Sequence, residues 1–153
     1  MDWRAAIVAG VMAGIVFMMV EMLMVLFFMD QSPWGPPRMM AAMVLGKDVL
    51  PPPADFDTGV MMTAMMIHLP LSILYGLILS YIAGRFNTIK LYVAGALLGL
   101  AIYWINFYII APVAFPWFTE AQNWISLVSH LVFGVVLGGA YAKLRHSSVQ
   151  ARS

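Results

Sequence analysis

Four apolar stretches, each separated from the next by a short polar or proline-rich break, run along the chain at about residues 5–29, 58–83, 91–111 and 123–144. Each reaches the ~20 residues an α-helix needs to cross a hydrocarbon core about 30 Å thick. The pattern predicts an all-α membrane protein, a four-helix transmembrane bundle. The first stretch, Ala5 to Met29, reads as a retained span, since its apolar run is too long for a signal peptide and no small-x-small cleavage site follows. Between the first two spans, SPWGPP and LPPPADFD forbid one continuous helix. The segment between them, with Pro37 suited to a first turn and Met39, Met40, Met43 and Val44 to one side, predicts a short interfacial helix in an outer loop spanning 30–57. The turn from Gly84 to Lys90 is short enough to make the second and third spans antiparallel neighbours. Pro112 and Pro116 end the third span, and the fourth runs into a polar tail with His146 as a solvated residue.

Composition sharpens this. Of 153 residues, 63% are hydrophobic and only 10% charged, and the mean hydropathy of +0.89 does not suit a water-facing surface. Residues 1–153 form one transmembrane domain, with no length left for a soluble one. Arg4, Arg85, Lys90, Lys143, Arg145 and Arg152 fall on one side of the membrane, against Arg38 and Lys47 on the other, so both termini are expected in the cytoplasm, with the protein in a bacterial inner membrane. Trp34, Phe56, Trp117, Phe118 and Trp124 then form an outer aromatic belt. A net charge of +1 gives no case for nucleic acid as a partner, and the absence of cysteine excludes disulfides, thiolate metal sites and iron–sulfur clusters. No nucleophile elbow, phosphate-binding loop or metalloprotease histidine pair is present, which argues against hydrolase or phosphotransferase chemistry. Ser126 and Ser129 are expected to bond to the helix backbone.

Two internal alignments organise the spans. Ala9, Gly10, Gly14 and Glu21 match Ala94, Gly95, Gly99 and Asn106 at a shift of 85 residues. His68, Leu69, Ser72 and Gly76 match His130, Leu131, Gly134 and Gly138 at a shift of 62, and the difference between the shifts reflects the longer first outer loop. The chain therefore reads as two related hairpins, packed in parallel about an axis along the membrane normal.

The polar members of these alignments are the candidate chemistry. At roughly 1.5 Å per residue from the outer helix ends, Glu21 lies about 12 Å deep, His68 about 15 Å, Asn106 about 9 Å and His130 about 10 Å. They form one layer in the outer half, and ionisable groups at such depth face protein or a cofactor, not lipid. With the second and fourth spans diagonal in an up-and-down bundle, His68 and His130 suit the axial positions of one haem b. Gly10, Gly14, Gly95 and Gly99, with Ser72, Gly76, Gly134 and Gly138, are candidates for the room its ring needs. This arrangement resembles the haem-binding four-helix core of membrane b-type cytochromes, in which histidines on alternate helices face glycines on the others. With one histidine per ligand helix, the resemblance implies a single bis-histidine haem and an electron-transfer or membrane redox role with a redox partner. Glu21 and Asn106 are candidates to orient an imidazole or carry a proton, and Arg38, with Trp34 and Trp124 nearby, to meet the propionates.

Three other readings stand beside haem. All 14 methionines lie at or before Met66, and soft thioethers select Cu(I), so Met65, Glu21 and the histidines are an alternative site for copper or another ion, bound or transported. Paired small-residue stripes suit a homo-oligomer or an accessory subunit of a larger membrane complex. The same stripes and polar groups also make an ordinary hydrogen-bonded helix interface. Whether the protein is an enzyme is left open by the sequence.

Overall fold

The structure is a computed structural model that describes residues 1–150, with side chains described as far as Arg145. His146 lies outside the described side chains, and Arg152 outside the described residues. All regular elements among the described residues are helical: α1 (Trp3–Met29), α2 (Gly35–Leu45), α3 (Thr58–Ala83), α4 (Thr88–Trp104), α5 (Ala111–Ala114) and α6 (Trp124–Gln150). A π-helical stretch, Ile105–Ile110, joins α4 to α5, so that one helical rod covers Thr88–Ala114. Four helices are long and apolar enough to cross a membrane.

Caps account for several boundaries. The Asp2, Asp57 and Asn87 side chains accept from the backbone N–H groups of Ala5, Val60 and Lys90, each filling one of the open donors of a helix start. Asp30 ends α1 in the left-handed region at φ 52°. The third span does not stop at Pro112 as its proline suggested. In the π register Pro112, which has no N–H, stands five residues after Phe107, and the released Phe107 carbonyl accepts Gln122 Nε2 at 2.6 Å.

The helices pack in the order α3, α1, α6, α4, with α3 and α6 on a diagonal. Contrary to expectation from the short turn, α3 and α4 touch little although they follow one another in sequence. Each is held to a different partner by backbone approach. On one side Gly10 lies against the backbone of Ser72 and Ile73, Gly14 against the Ser72 side chain, and Gly76 against the Ala6 carbonyl. On the other, Gly95 and Gly134 face each other's carbonyls, Gly99 lies against the His130 carbonyl and Gly138 against that of Leu91. At each of these positions an added Cβ would collide with its neighbour, which is the close approach that small residues permit between membrane helices.

The two ends of the bundle differ. At the turn end, which holds the N-terminus and the α3–α4 turn, Ala5, Ala6, Ala9, Leu79, Ala83, Leu91, Leu137 and Tyr141 form a closed core. Ser80 Oγ donates to Tyr141 Oη at 2.8 Å, the Asp2 N–H donates to the same oxygen at 3.3 Å, and the Arg145 guanidinium donates to the carbonyls of Gly84 and Phe86. At the cap end, α2 and the 3₁₀ segment Pro116–Ala121 lie across the bundle, joined by Trp117 Nε1 donating to the Met39 carbonyl at 3.0 Å. The short helix expected between the first two spans is α2. It presses Ala41 against Val60 and Ala64 of α3 and leaves Val44 exposed.

Candidate ligand cavity

Beneath this cap the four long helices diverge around a cavity of about 620 Å³. Glu21, His68, Asn106 and His130, the four residues of the polar layer, all line it. Glu21, His68 and His130 are buried and Asn106 is half-buried. Most of the remaining wall is apolar or aromatic: Phe17 and Met18 from α1, Leu71 and Tyr75 from α3, Ile102 and Phe107 from the α4 rod, Phe133 from α6, and Met39, Met40 and Met43 from the cap. The lining includes residues of both α3 and the α4 rod, the two long helices that follow one another in sequence yet scarcely touch.

The imidazoles are each held by one nitrogen. His68 Nε2 donates to the Gly14 carbonyl at 2.9 Å across the α1–α3 contact. His130 Nδ1 donates to the Ser126 carbonyl, one turn earlier in its own helix, at 2.7 Å. A carbonyl only accepts, so these bonds set the tautomers: in the neutral ring His68 carries its proton on Nε2 and His130 on Nδ1. Phe17 stands beside both rings, 5.2 Å from His68 and 4.7 Å from His130 between centroids. Tyr103 and Phe107 complete the aromatic surround of His130, at 5.6 and 5.4 Å.

Glu21 belongs to the α1–α6 interface. Its Oε1 accepts from Ser126 Oγ at 2.7 Å, so that serine bonds a carboxyl from another helix where a backbone partner was expected. Ser129 also lies beside the carboxyl, yet Ser129 Oγ and Glu21 Oε2 are both buried without a hydrogen-bond partner.

Other candidates lie elsewhere. Gly14, Gly76, Gly99, Gly134 and Gly138 are absent from the cavity wall, and the space beside each is taken by a neighbouring helix; Ser72 does line the cavity while donating its hydroxyl to the His68 carbonyl at 2.8 Å. Met65 is half-buried on α3 and away from the cavity. Arg38 is fully engaged with the outer loop: Nε and Nη2 donate to the Asp55 carbonyl and carboxylate at 3.0 and 2.7 Å, and Nη1 to the Val49 carbonyl at 3.1 Å. Among the described residues no lysine or arginine lines the cavity, and no three histidine, aspartate or glutamate side chains gather as a metal-binding group. Phe17 is the site residue that sequence reasoning missed. It sits four residues before Glu21, hence on the same helix face, a spacing that was available to read.

The fold and its cavity define an all-helical membrane protein of four spans with a polar layer in one half. The chain belongs to a family of unknown function, DUF6789, which it matches over residues 1–151. No curated protein and no solved structure matches it.

Proposed function

We propose that this protein binds a neutral, lipophilic small molecule that enters from the bilayer between α3 and α4 and lodges with its polar group against the histidine layer. The observation that carries this reading is the cavity itself: about 620 Å³, within the usual size of small-molecule sites, mostly apolar, and ending on a few convergent polar groups. The wall argues against an anion: Glu21 and Glu120 are its acidic residues, and among the described residues no lysine or arginine lines it to offset a ligand's negative charge. Replacing Leu71, which lines the cavity, by tryptophan should abolish saturable 1:1 binding of a naphthalene probe to the protein in nanodiscs while leaving helicity and thermal stability intact. Unaltered probe binding in Leu71→Trp would remove the cavity as the site.

A b-type haem is the second reading, favoured by one observation. His130 donates Nδ1–H to a backbone carbonyl, the bond that commonly orients a metal-ligating imidazole and leaves Nε2 free. Bis-histidine ligation through both Nε2 atoms would further require His68 to release Gly14 and Phe17 to leave its place beside both rings. Oxidised and dithionite-reduced absorption spectra separate the readings, since only haem gives sharp reduced bands with stoichiometric iron.

In our reading the cap end faces out and both termini face the cytoplasm of a bacterial inner membrane. Support comes from the basic residues: Arg4, Arg85, Lys90, Lys143 and Arg145 lie toward the turn end. Since the chain has no cysteine, single substitutions report cleanly. Lys47→Cys should react with an impermeant maleimide in intact cells, and Lys90→Cys only after lysis. We also read the hairpins α1/α3 and α4/α6 as repeats. Gly14 against Ser72 and Gly99 against Gly134 are equivalent contacts under the two alignments, as are Gly76 on Ala6 and Gly138 on Leu91.

A further inference from the structure

We infer that the cavity selects its ligand through a hydrogen-bond donor, a hydroxyl on an aromatic or otherwise lipophilic body, and discriminates against the corresponding ether or ketone. This deepens the cavity reading and rests on it. The inference comes from what each imidazole has left to offer. His68 uses Nε2 on the Gly14 carbonyl, and His130 uses Nδ1 on the Ser126 carbonyl. The partners are acceptors, so the protons sit on those nitrogens, and His68 Nδ1 and His130 Nε2 carry lone pairs.

Neither lone-pair nitrogen is walled off. Among the described residues the only buried side-chain nitrogen or oxygen atoms without a partner are Glu21 Oε2 and Ser129 Oγ. Both histidines line the cavity and neither second nitrogen has a protein hydrogen bond, so both remain accessible from it. The two histidines of the layer thus present acceptors. Asn106 and Tyr75, which also line the cavity, carry donor and acceptor alike and do not select. A ligand hydroxyl meets a lone pair; a ligand carbonyl brings a second acceptor against it and leaves both unpaired in an apolar surround, a loss that costs more than a hydrogen bond contributes.

The test uses three matched probes on the full chain in nanodiscs, with partitioning into empty nanodiscs subtracted: 2-naphthol, 2-methoxynaphthalene and 2-acetylnaphthalene. The expected result is that 2-naphthol binds about tenfold tighter than either of the others. His130→Phe, His68→Phe or the double variant should lower that ratio toward one. Equal affinity of 2-naphthol and 2-methoxynaphthalene for the unaltered chain, or tighter binding of 2-acetylnaphthalene, overturns donor selection but leaves the cavity reading standing. Absence of saturable binding by all three overturns both.

A second measurement needs no histidine of the layer replaced. In ¹⁵N-histidine-labelled protein, with the His146 signals identified through His146→Gln, the ring nitrogens should show His68 unprotonated at Nδ1 and His130 unprotonated at Nε2. The opposite tautomer at both sites would overturn the inference whatever the variants do.

Discussion

At the turn end of the bundle small residues let the helices meet backbone to backbone, and the polar groups there find partners: Ser80 and the Asp2 N–H on Tyr141, and Arg145 on the carbonyls of the α3–α4 turn. At the cap end the same four helices part around a cavity, and polar groups that line it are left incompletely paired: the second nitrogens of two imidazoles. Buried polar groups are ordinarily satisfied within a fold, so those that are not mark where a fold meets something else. The contrast teaches that one end is built for cohesion and the other for recognition.

The contrast breaks most completely at the glycine contacts. Gly134→Val places side-chain atoms on the Gly95 carbonyl. Backbone cannot yield as a side-chain tip can, so the cost should reach about 3 kcal/mol or more, seen as loss of the folded peak in detergent chromatography. Tyr141→Phe is next. It deprives Ser80 Oγ and the Asp2 N–H of their acceptor and should lower stability by about 2 kcal/mol, measurable by chemical unfolding in micelles. Glu21→Gln sharpens the comparison in the other direction. Its carbonyl keeps the Ser126 hydroxyl, while its amide N–H offers a donor to Ser129 Oγ, unpartnered in the unaltered chain. Stability should rise by about 0.5–1 kcal/mol by the same measurement. Smallest of all is Val44→Ala, on the exposed side of α2, which should change stability by less than about 0.5 kcal/mol.

Much of this was legible in the sequence. The four spans follow from apolar length and proline position alone, and the polar layer followed from counting inward from the helix ends; Glu21, His68, Asn106 and His130 do line one cavity. What could not be read was that α3 and α4 scarcely touch. A short turn makes α3 and α4 neighbours in the chain, but glycine-face complementarity, a property of two surfaces together, joins α1 to α3 and α4 to α6. For the same reason the glycines could equally have been assigned to cofactor room or to helix contact, since spacing is identical in both cases. Arg38 was equally ambiguous. Its partner Asp55 lies 17 residues along a proline-rich loop whose path no local pattern specifies. The π-helical stretch was missed because Pro112 signals a helix end unless a side chain, here Gln122, takes up the freed carbonyl.

The most direct test of a bilayer-accessible cavity is site mapping with a membrane-partitioning diazirine probe on the protein in lipid. The account predicts labelling at Leu71, Tyr75 and Ile102 that saturates with probe concentration and is competed by 2-naphthol, above a non-saturating background on outward-facing residues such as Leu97 and Val113. Labelling confined to Leu97, Val113 and their like, rising linearly and indifferent to competitor, would contradict it.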